Sequence, residues 1–443
     1  MLVRVRAGFE SFRDSLFFFP ALFVVAAVVV AQTMLEVDER VSLDSVPSFL
    51  RFTVDSARAL LSTVAGATVT VTGVVFALTA VSVQLASSQF SPRVVRGFLR
   101  DRAIQAGIGF MVATFTYSLM VLRAVRSPDG DGASDVVPNL SAGLALALAV
   151  GMILTILAYV NHTAQSLQAT QLIGNITTGA VALVRKRFPD VGQAEPERPV
   201  WPEAALGPGR RVAAPRSGWV QQLSETALLG ALPDGGVARV EVRTGSFVHA
   251  GTRLCTVWST GGDPAAVDED VAEAFAIGRV RTMQQDVSFG IRQLTDIALR
   301  ALSTGVNDAT TAYECIVHLG EVLYEILRRD LPPATRAGSG GRFVLRPHEP
   351  THADYVDRAF DQIRMNVAPM PDLCAALLST LGTLSRDLAD LGIDRDEPLR
   401  RQARLVVAGA AANEPLADDL ALVHRAAVAA GFGPEVEAVQ AGA

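Results

Sequence analysis

Four long apolar segments dominate the N-terminal part of the chain. They cover about residues 16–35, 59–85, 103–122 and 140–160. A helix of about twenty apolar residues crosses the ~30 Å hydrocarbon core of a bilayer. The first segment exceeds the apolar core of a signal peptide, which has roughly 7–15 residues, so we expect it to be retained. The pattern therefore predicts four transmembrane helices.

The second apolar segment carries a stripe of small and polar residues. No charged residue occurs from Ala59 to Pro92. The stripe recurs every three or four positions and so falls on one helix face: Ser62, Gly66, Thr70, Gly73, Ala77, Ala80 and Gln84. In lipid, small residues let helix backbones approach closely. Two interpretations stay open, because this face can pack inside its own subunit or line a pathway.

Basic residues mark one side of the predicted membrane. Arginines precede the first segment, whereas the connections after the first and third segments are acidic. The densest basic cluster follows the second segment: Arg93, Arg96, Arg100 and Arg102. The positive-inside rule then places both termini in the cytoplasm. The cluster either enforces this topology and binds anionic headgroups, or forms rings at the cytoplasmic mouth of a pore, where it would favour anions.

The pattern changes after the fourth segment. Residues 161–184 are almost uncharged but rich in Gln, Thr and Asn, which predicts a cytoplasmic extension of the fourth helix within a membrane domain of residues 1–187. A proline-rich linker follows at residues 188–209. Period-two alternation over residues 210–262 predicts strands, and period 3.6 over residues 267–443 predicts a helical domain with a loose C-terminal tail. The expected fold is an α-helical membrane domain followed by an α+β cytoplasmic region.

The predicted strands resemble a known module. The phrases Ser217–Val220 and Val242–Leu254 are similar to the small barrel-sandwich module of biotinyl and lipoyl carriers and of adaptor proteins in bacterial efflux systems. A carrier attaches its cofactor to a lysine at a hairpin tip, but Lys186 is the only lysine of the chain. The resemblance therefore implies a structural or docking barrel, and we expect no cofactor.

One helix junction has the most individual sequence of the chain, GIRQLTDIALRALSTGVNDATTAYECI. Arg292 and Asp296 are four residues apart and can pair on one helix face. Residues 303–308 end one helix, and Asn307 or Asp308 is expected to cap the next. The junction is interpreted either as a capped turn in a core or as a polar cytoplasmic site built from Arg292, Asn307 and Asp308.

The chain is similar to a bacterial membrane family in three features: this helix junction, the phrase SSQFSPR at residues 87–93 and the order of the apolar segments. That family is catalogued as domain of unknown function 2254, and the similarity runs from the first segment to about residue 390. The family often has prolines at the helix junction where this chain has Thr304 and Ala309. The resemblance implies a location in the bacterial plasma (inner) membrane and no particular activity.

Composition and motifs argue against nucleic-acid binding and enzymatic activity. The 443 residues are half hydrophobic and carry a net charge of −6, without a basic patch interleaved with aromatics. The three cysteines lack disulfide or zinc spacing and are expected to be buried thiols. The string HEPTH at residues 348–352 matches HExxH, but its proline prevents the continuous helix that zinc ligation needs. Thr351 and Asp354 are instead typical of a helix start, and we expect no metal site and no catalytic residue.

Three classes of function fit this layout. The apolar segments have no charge in their interiors and show no internal repeat, which argues against an ion-coupled transporter. A channel needs a helix lined by small residues, an apolar constriction and charge at its mouths, and the sequence supplies all three. We therefore expect a homo-oligomeric ion channel lined by the second segment, in contact with lipid and ions. The alternative is a non-transporting scaffold or sensor that binds partners through its cytoplasmic part.

Overall fold

The computed structural model describes residues 18–41, 47–89, 101–126, 137–166, 168–193, 208–259, 261–413 and 415–442. The chain forms two compact units, with the boundary between Gln168 and Ala169. We call the part before this boundary the membrane unit and the part after it the C-terminal unit.

The membrane unit contains the four apolar helices that the sequence predicts. They are α1 (Phe18–Arg40), α2 (Val54–Gln89), α3 (Arg102–Ala124) and α4 (Asn139–Ser166). Each helix is long and apolar enough to cross a bilayer. With 36 residues α2 is the longest of them. At 1.5 Å per residue it measures about 54 Å, which exceeds the ~30 Å hydrocarbon thickness.

The third helix is the packing centre of the membrane unit. In the most apolar stretch of α3 56% of the residues are buried, against 28% or fewer in each of the other three helices. Helix α3 contacts α1, α2 and α4. Met111 and Tyr117 of α3 lie in two separate apolar clusters and are almost fully buried. The other helices therefore keep broad exposed faces, as helices at a lipid boundary do.

Two carboxylates cap helices of the membrane unit. Asp38, near the end of α1, accepts hydrogen bonds from the backbone N–H groups of Leu140 (2.8 Å) and Ser141 (2.9 Å) at the start of α4. Asp101 accepts from the backbone N–H of Ala103 at 2.8 Å and so caps α3. Both contacts satisfy N–H groups that have no partner within their own helix.

The C-terminal unit begins with α5 (Ala169–Arg187). The sequence predicts this stretch as an extension of the fourth helix, but α4 ends at Ser166 and α5 is a separate helix that packs within the C-terminal unit. The physical reason is its own apolar stripe, because Ile173, Ile176, Ala180 and Val184 recur at helical spacing and are all buried.

Eight strands of the described C-terminal unit form two sheets. The strands are β1 (Arg210–Ala213), β2 (Gly218–Leu223), β3 (Val237–Val240), β4 (Phe247–Val248), β5 (Arg253–Trp258), β6 (Phe275–Gly278), β7 (Thr335–Ala337) and β8 (Phe343–Leu345). One sheet has the order β1-β5-β3-β8-β7, and the other has the order β4-β2-β6. Strands β3 and β8 run parallel, and the other paired strands run antiparallel.

Neither sheet closes on itself within the described residues, so the predicted barrel is not confirmed. Strands β1 to β5 lie in the segment whose alternation predicts strands, whereas β6, β7 and β8 come from the region predicted to be helical. Strand β8 pairs with β3 by bringing Phe343 opposite Val237 and Leu345 opposite Arg239. Pairing over such a sequence separation has no local signature, because only the folded chain brings these segments together.

Helices make up most of the rest of the C-terminal unit. They are α6 (Glu225–Ala231), α7 (Pro264–Glu273), α8 (Val287–Ala301), α9 (Ala309–Leu327), α10 (His352–Val367), α11 (Pro371–Asp390), α12 (Glu397–Ala412), α13 (Ala417–Ala429) and α14 (Gly433–Gly442). Helix α9 is central, since it contacts α5, α8, α10 and α11. Helices α13 and α14 extend to Gly442, where the sequence predicts a loose tail.

Helix α10 begins inside the HExxH string, as predicted. The Thr351 hydroxyl accepts from the Asp354 backbone N–H at 3.1 Å, and the Asp354 carboxylate accepts from the Thr351 backbone N–H at 2.8 Å. This capping box starts the helix at His352 and leaves His348 in the preceding loop. The two histidines are therefore not one turn apart on a helix, which is the arrangement that zinc ligation through this motif requires.

The three cysteines are buried, as predicted from their spacing. Cys255, Cys315 and Cys374 are free thiols. Burial raises the pKa of the Cys374 thiol to about 11 and raises the pKa of the other two thiols further. All three are thus protonated at neutral pH.

Candidate functional site

The small-residue stripe of α2 points away from the packed side of that helix. All seven positions of the stripe are exposed: Ser62, Gly66, Thr70, Gly73, Ala77, Ala80 and Gln84. The buried side of α2 consists of other residues: Ala57, Leu61, Val64, Ala65, Thr68, Val75, Thr79 and Ser82. At about 100° per residue the centres of the two faces are about 160–200° apart around the helix. The stripe is thus the outward face of α2.

Larger exposed side chains flank the stripe. Exposed Val69 lies along one edge and exposed Val74 along the other. A Cβ atom added at Gly66 or at Gly73 would meet no atom of another segment within 4 Å. Packing inside the chain therefore does not require glycine at either position, and this face is open to a neighbouring helix.

The predicted arginine cluster falls only partly within the described residues. Arg102 is the first residue of α3 and is exposed. Arg93, Arg96 and Arg100 lie outside the described residues. The arrangement of this cluster around a pore mouth therefore stays a prediction.

The predicted polar site at the helix junction divides between two places. Asp308 caps α9, as expected, by accepting from the Thr311 backbone N–H at 3.0 Å. Asn307 precedes this cap with a φ of 49°, a left-handed conformation that asparagine adopts more readily than most residues. Arg292 lies on α8 and pairs with Asp296 at 2.7 Å, as predicted. Among the described residues no hydrogen bond or ion pair joins Arg292 to Asn307 or Asp308.

Arg292 instead borders a charged cleft of about 500 Å³ in the C-terminal unit. We call it the arginine cleft. The end of α5, the connection from β3 to β4 and the starts of α8 and α10 surround it. Five arginines line it: Arg187, Arg243, Arg281, Arg292 and Arg358. Five carboxylates also line it: Asp286, Glu349, Asp354, Asp357 and Asp361.

One side of the arginine cleft is rigidly built around Arg281. Its Nε donates to the Asp286 carboxylate at 2.7 Å, and its guanidinium lies 5.9 Å from the ring centre of Trp219 and 5.3 Å from that of Phe289. Asp286 is 5% exposed and caps α8 by accepting from the Phe289 backbone N–H. Burial raises the pKa of the Asp286 carboxyl, although the Arg281 charge opposes this shift.

Sequence reasoning did not find the arginine cleft. Its arginines come from five segments of the chain, on α5, before β4, before α8, on α8 and on α10. Two local signals are present: Arg292, which belongs to the predicted polar site, and the basic run at residues 185–187, which is typical of a membrane-surface boundary as well. The described residues contain no group of His, Cys, Asp and Glu side chains suited to hold a metal ion.

The chain has four apolar helices, and a separate unit of helices and two open sheets follows them. This arrangement is that of a membrane protein with a large domain outside its candidate spans. The chain belongs to the family described as "Predicted membrane protein (DUF2254)", whose family model matches residues 13–383. This is the family that its sequence resembles.

Relatives in mycobacteria share most of the chain. The uncharacterized proteins Mb1321c of Mycobacterium bovis and Rv1290c of Mycobacterium tuberculosis are each 33% identical to it over 387 residues. Each match covers 84% of this chain and 72% of the relative. No solved structure matches the chain significantly.

Proposed function

We propose that the chain assembles as a homo-oligomer in the bacterial plasma membrane, where the α2 helices of several copies line an ion-conducting pathway. The observation that carries the proposal is the outward stripe of α2, every position of which is exposed on the single chain. Both termini lie in the cytoplasm in this proposal, and the chain acts without a catalytic centre.

The chemistry of the stripe supports contact with a second copy rather than with lipid alone. Large apolar side chains cover lipid-facing helices, whereas small residues favour close approach of backbones in a membrane. Glycine in a helix interior costs about 1 kcal/mol relative to alanine in soluble helices. Nothing in the described part of the chain offsets that cost at Gly66 or Gly73, because an added Cβ would meet no atom of another segment within 4 Å. A neighbouring copy would offset it.

The hydroxyl groups of the stripe are compatible with both lipid and water. Ser62 Oγ donates to the Ala59 carbonyl oxygen at 3.1 Å, and Thr70 Oγ1 donates to the Gly66 carbonyl oxygen at 3.1 Å. These bonds satisfy the hydroxyl donors within the helix and leave acceptor lone pairs directed outward. A face of this kind can border a narrow hydrated pathway without charged residues.

Filling the stripe should disrupt assembly without unfolding the chain. We expect the variants Gly73→Leu and Ala77→Leu to shift the protein in lipid nanodiscs from oligomer to monomer, because the added side chains keep neighbouring backbones apart. Native mass spectrometry and sedimentation velocity measure the shift. The matched control is Ala147→Leu, which enlarges an exposed alanine of α4 outside the stripe. If the wild type were monomeric at all workable concentrations, the proposed oligomer and the proposed channel would both be wrong.

Conductance is the direct test of the pathway. Reconstituted wild type should pass ions under voltage or membrane tension, and we expect a reversal potential that leans toward anions, since positive charge follows α2 in the sequence. The variant Ala77→Leu should reduce the current, whereas Ala147→Leu should not.

An oligomer that passes no ions would favour the alternative function, a scaffold or sensor acting through the C-terminal unit. The arginine cleft is the observation that favours this alternative.

A further inference from the structure

The carboxylates of the arginine cleft are already engaged by other groups. Asp357 accepts from Arg401 at 2.6 Å and from Gln402 at 2.7 Å, and neither partner lines the cleft. Asp354 is held in the capping box of α10. The remaining three also have partners: Asp286 pairs with Arg281, Asp361 with Gln402 and Arg364, and Glu349 with Arg346. Among the described residues none of these five carboxylates makes an ion pair with Arg187, Arg243 or Arg358.

Three guanidinium groups of the cleft have no carboxylate partner. Among the described residues the guanidinium groups of Arg187 and Arg243 make no hydrogen bond and no ion pair, and that of Arg358 donates to the Ser288 hydroxyl at 2.6 Å. Burial and the nearby charge of Arg346 lower the pKa of Arg187. A charge that is partly removed from water and not paired raises the free energy of the folded chain. An anion bound in the cleft would pair with these charges and lower the free energy of the folded chain.

A tyrosine whose hydroxyl has no partner among the described residues lines the same cleft as these arginines. Tyr355 lines the cleft and is 6% exposed, yet its hydroxyl has no hydrogen bond to a described residue. Burial and the nearby charge of Glu349 raise the pKa of this phenol, whereas the charges of Arg358 and Arg187 oppose the shift. Arg187, Arg243 and Arg358 all line the same cleft as Tyr355.

We propose that the arginine cleft binds a phosphate-bearing small molecule of about nucleotide size. Arg187, Arg243 and Arg358 would contact its phosphate oxygens, and the Tyr355 hydroxyl would donate a further hydrogen bond. A single carboxylate ligand needs one bidentate guanidinium, whereas three match the charge of a phosphate ester or a diphosphate. The volume of about 500 Å³ falls in the range of small-molecule sites, roughly 300–1,000 Å³. This proposal is independent of the oligomeric pathway.

The first turn of α8 adds to the same site. Ser288, whose hydroxyl meets Arg358, is in this turn and lines the cleft. Backbone N–H groups at the start of a helix attract anions, but in α8 the Asp286 carboxylate already accepts from the Phe289 N–H. The side-chain donors of the cleft thus come from α5, the connection from β3 to β4, α8 and α10.

The test uses the full chain in nanodiscs of phosphatidylcholine, with inorganic pyrophosphate and ATP as probes in isothermal titration calorimetry. We expect saturable binding of one probe per chain. The variants Arg187→Gln and Arg243→Gln should each weaken binding about tenfold or more, as loss of a charge-assisted hydrogen bond does. Arg425→Gln is the matched control, because it removes the same charge from an exposed position of α13.

Tyr355→Phe separates a binding role from a structural one. It removes a hydroxyl that has no partner among the described residues, so the thermal unfolding midpoint should not fall, while probe binding weakens about threefold or more. Wild type that binds neither probe, or an equal loss in Arg425→Gln, would overturn the proposal. Binding that occurs only when phosphatidic acid is added to the nanodiscs would assign the cleft to a lipid headgroup and would also overturn it.

Discussion

Replacing Glu325 by glutamine should lower the free energy of unfolding of the C-terminal unit by about 3 kcal/mol. Glu325, on α9, is 3% exposed and meets Arg185 at 3.1 Å, Arg328 at 3.1 Å and Arg329 at 2.9 Å. Removing its charge leaves the buried Arg329 with a single carboxylate partner among the described residues, the exposed Asp190. The cost falls at the lower end of the range for a broken buried pair, because Arg185 and Arg328 reach solvent.

The same contacts predict an acid-dependent loss of stability. The three arginines lower the pKa of the Glu325 carboxyl from 4.5 to about 2, although burial alone would raise it. The unfolded chain therefore binds this proton at higher pH than the folded chain does. The contribution of Glu325 is fully present above about pH 4.5 and is lost as the pH falls toward 2.

Urea unfolding followed by tryptophan fluorescence can measure both effects. All three tryptophans, Trp201, Trp219 and Trp258, follow the boundary at residue 169 in the sequence, and Trp219 and Trp258 lie in the described C-terminal unit, so the signal reports on that unit. The control is Glu397→Gln, because Glu397 and Arg404 form an exposed pair at 3.9 Å that contributes little. If Glu325→Gln were as mild as this control, the buried cluster would not be a source of stability.

Gly382→Ala should destabilise the C-terminal unit by about 1–3 kcal/mol, even though alanine is the better helix former. A Cβ at Gly382 of α11 would lie 2.5 Å from the carbonyl oxygen and 2.8 Å from the Cα of Ala430, just after α13. Backbone atoms cannot rotate aside as a flexible side chain can. The two helices would have to move apart.

Gly409→Ala is the matched control for this substitution. Gly409 lies inside α12, and the nearest atom to an added Cβ is the Ala368 Cβ at 3.7 Å, an ordinary contact. Here we expect a neutral or slightly stabilising effect of up to about 1 kcal/mol. The unfolding midpoints of the two variants should therefore move in opposite directions, and equal midpoints would contradict the close packing of α11 on α13.

Features that depend on neighbouring residues could be predicted from the sequence. Apolar length predicts the four long helices, and cap chemistry predicts the helix starts at Asp308 and Thr351. The spacing of Arg292 and Asp296 predicts their ion pair. Each of these depends on interactions within one turn or on the length of one helix.

Features that depend on distant segments could not be predicted in this way. The parallel pairing of β3 with β8 joins Val237 to Phe343, and the arginine cleft joins Arg187 to Arg358. The stripe of α2 is an intermediate case, because periodicity locates its face but does not say whether that face packs inside the chain. Its exposure depends on which side of α2 meets α3 and α4.

Because the native thiols are buried and protonated, the wild-type chain should react very little with maleimide reagents. Thiolates react and thiols do not, so Cys255, Cys315 and Cys374 should label slowly in the folded protein. A single cysteine introduced at Ser62 or Ala77 would then be an exposed thiol, and it should label quickly if water reaches the stripe. Without deleting any native residue, crosslinkers and spin labels could measure the spacing between α2 helices of neighbouring copies.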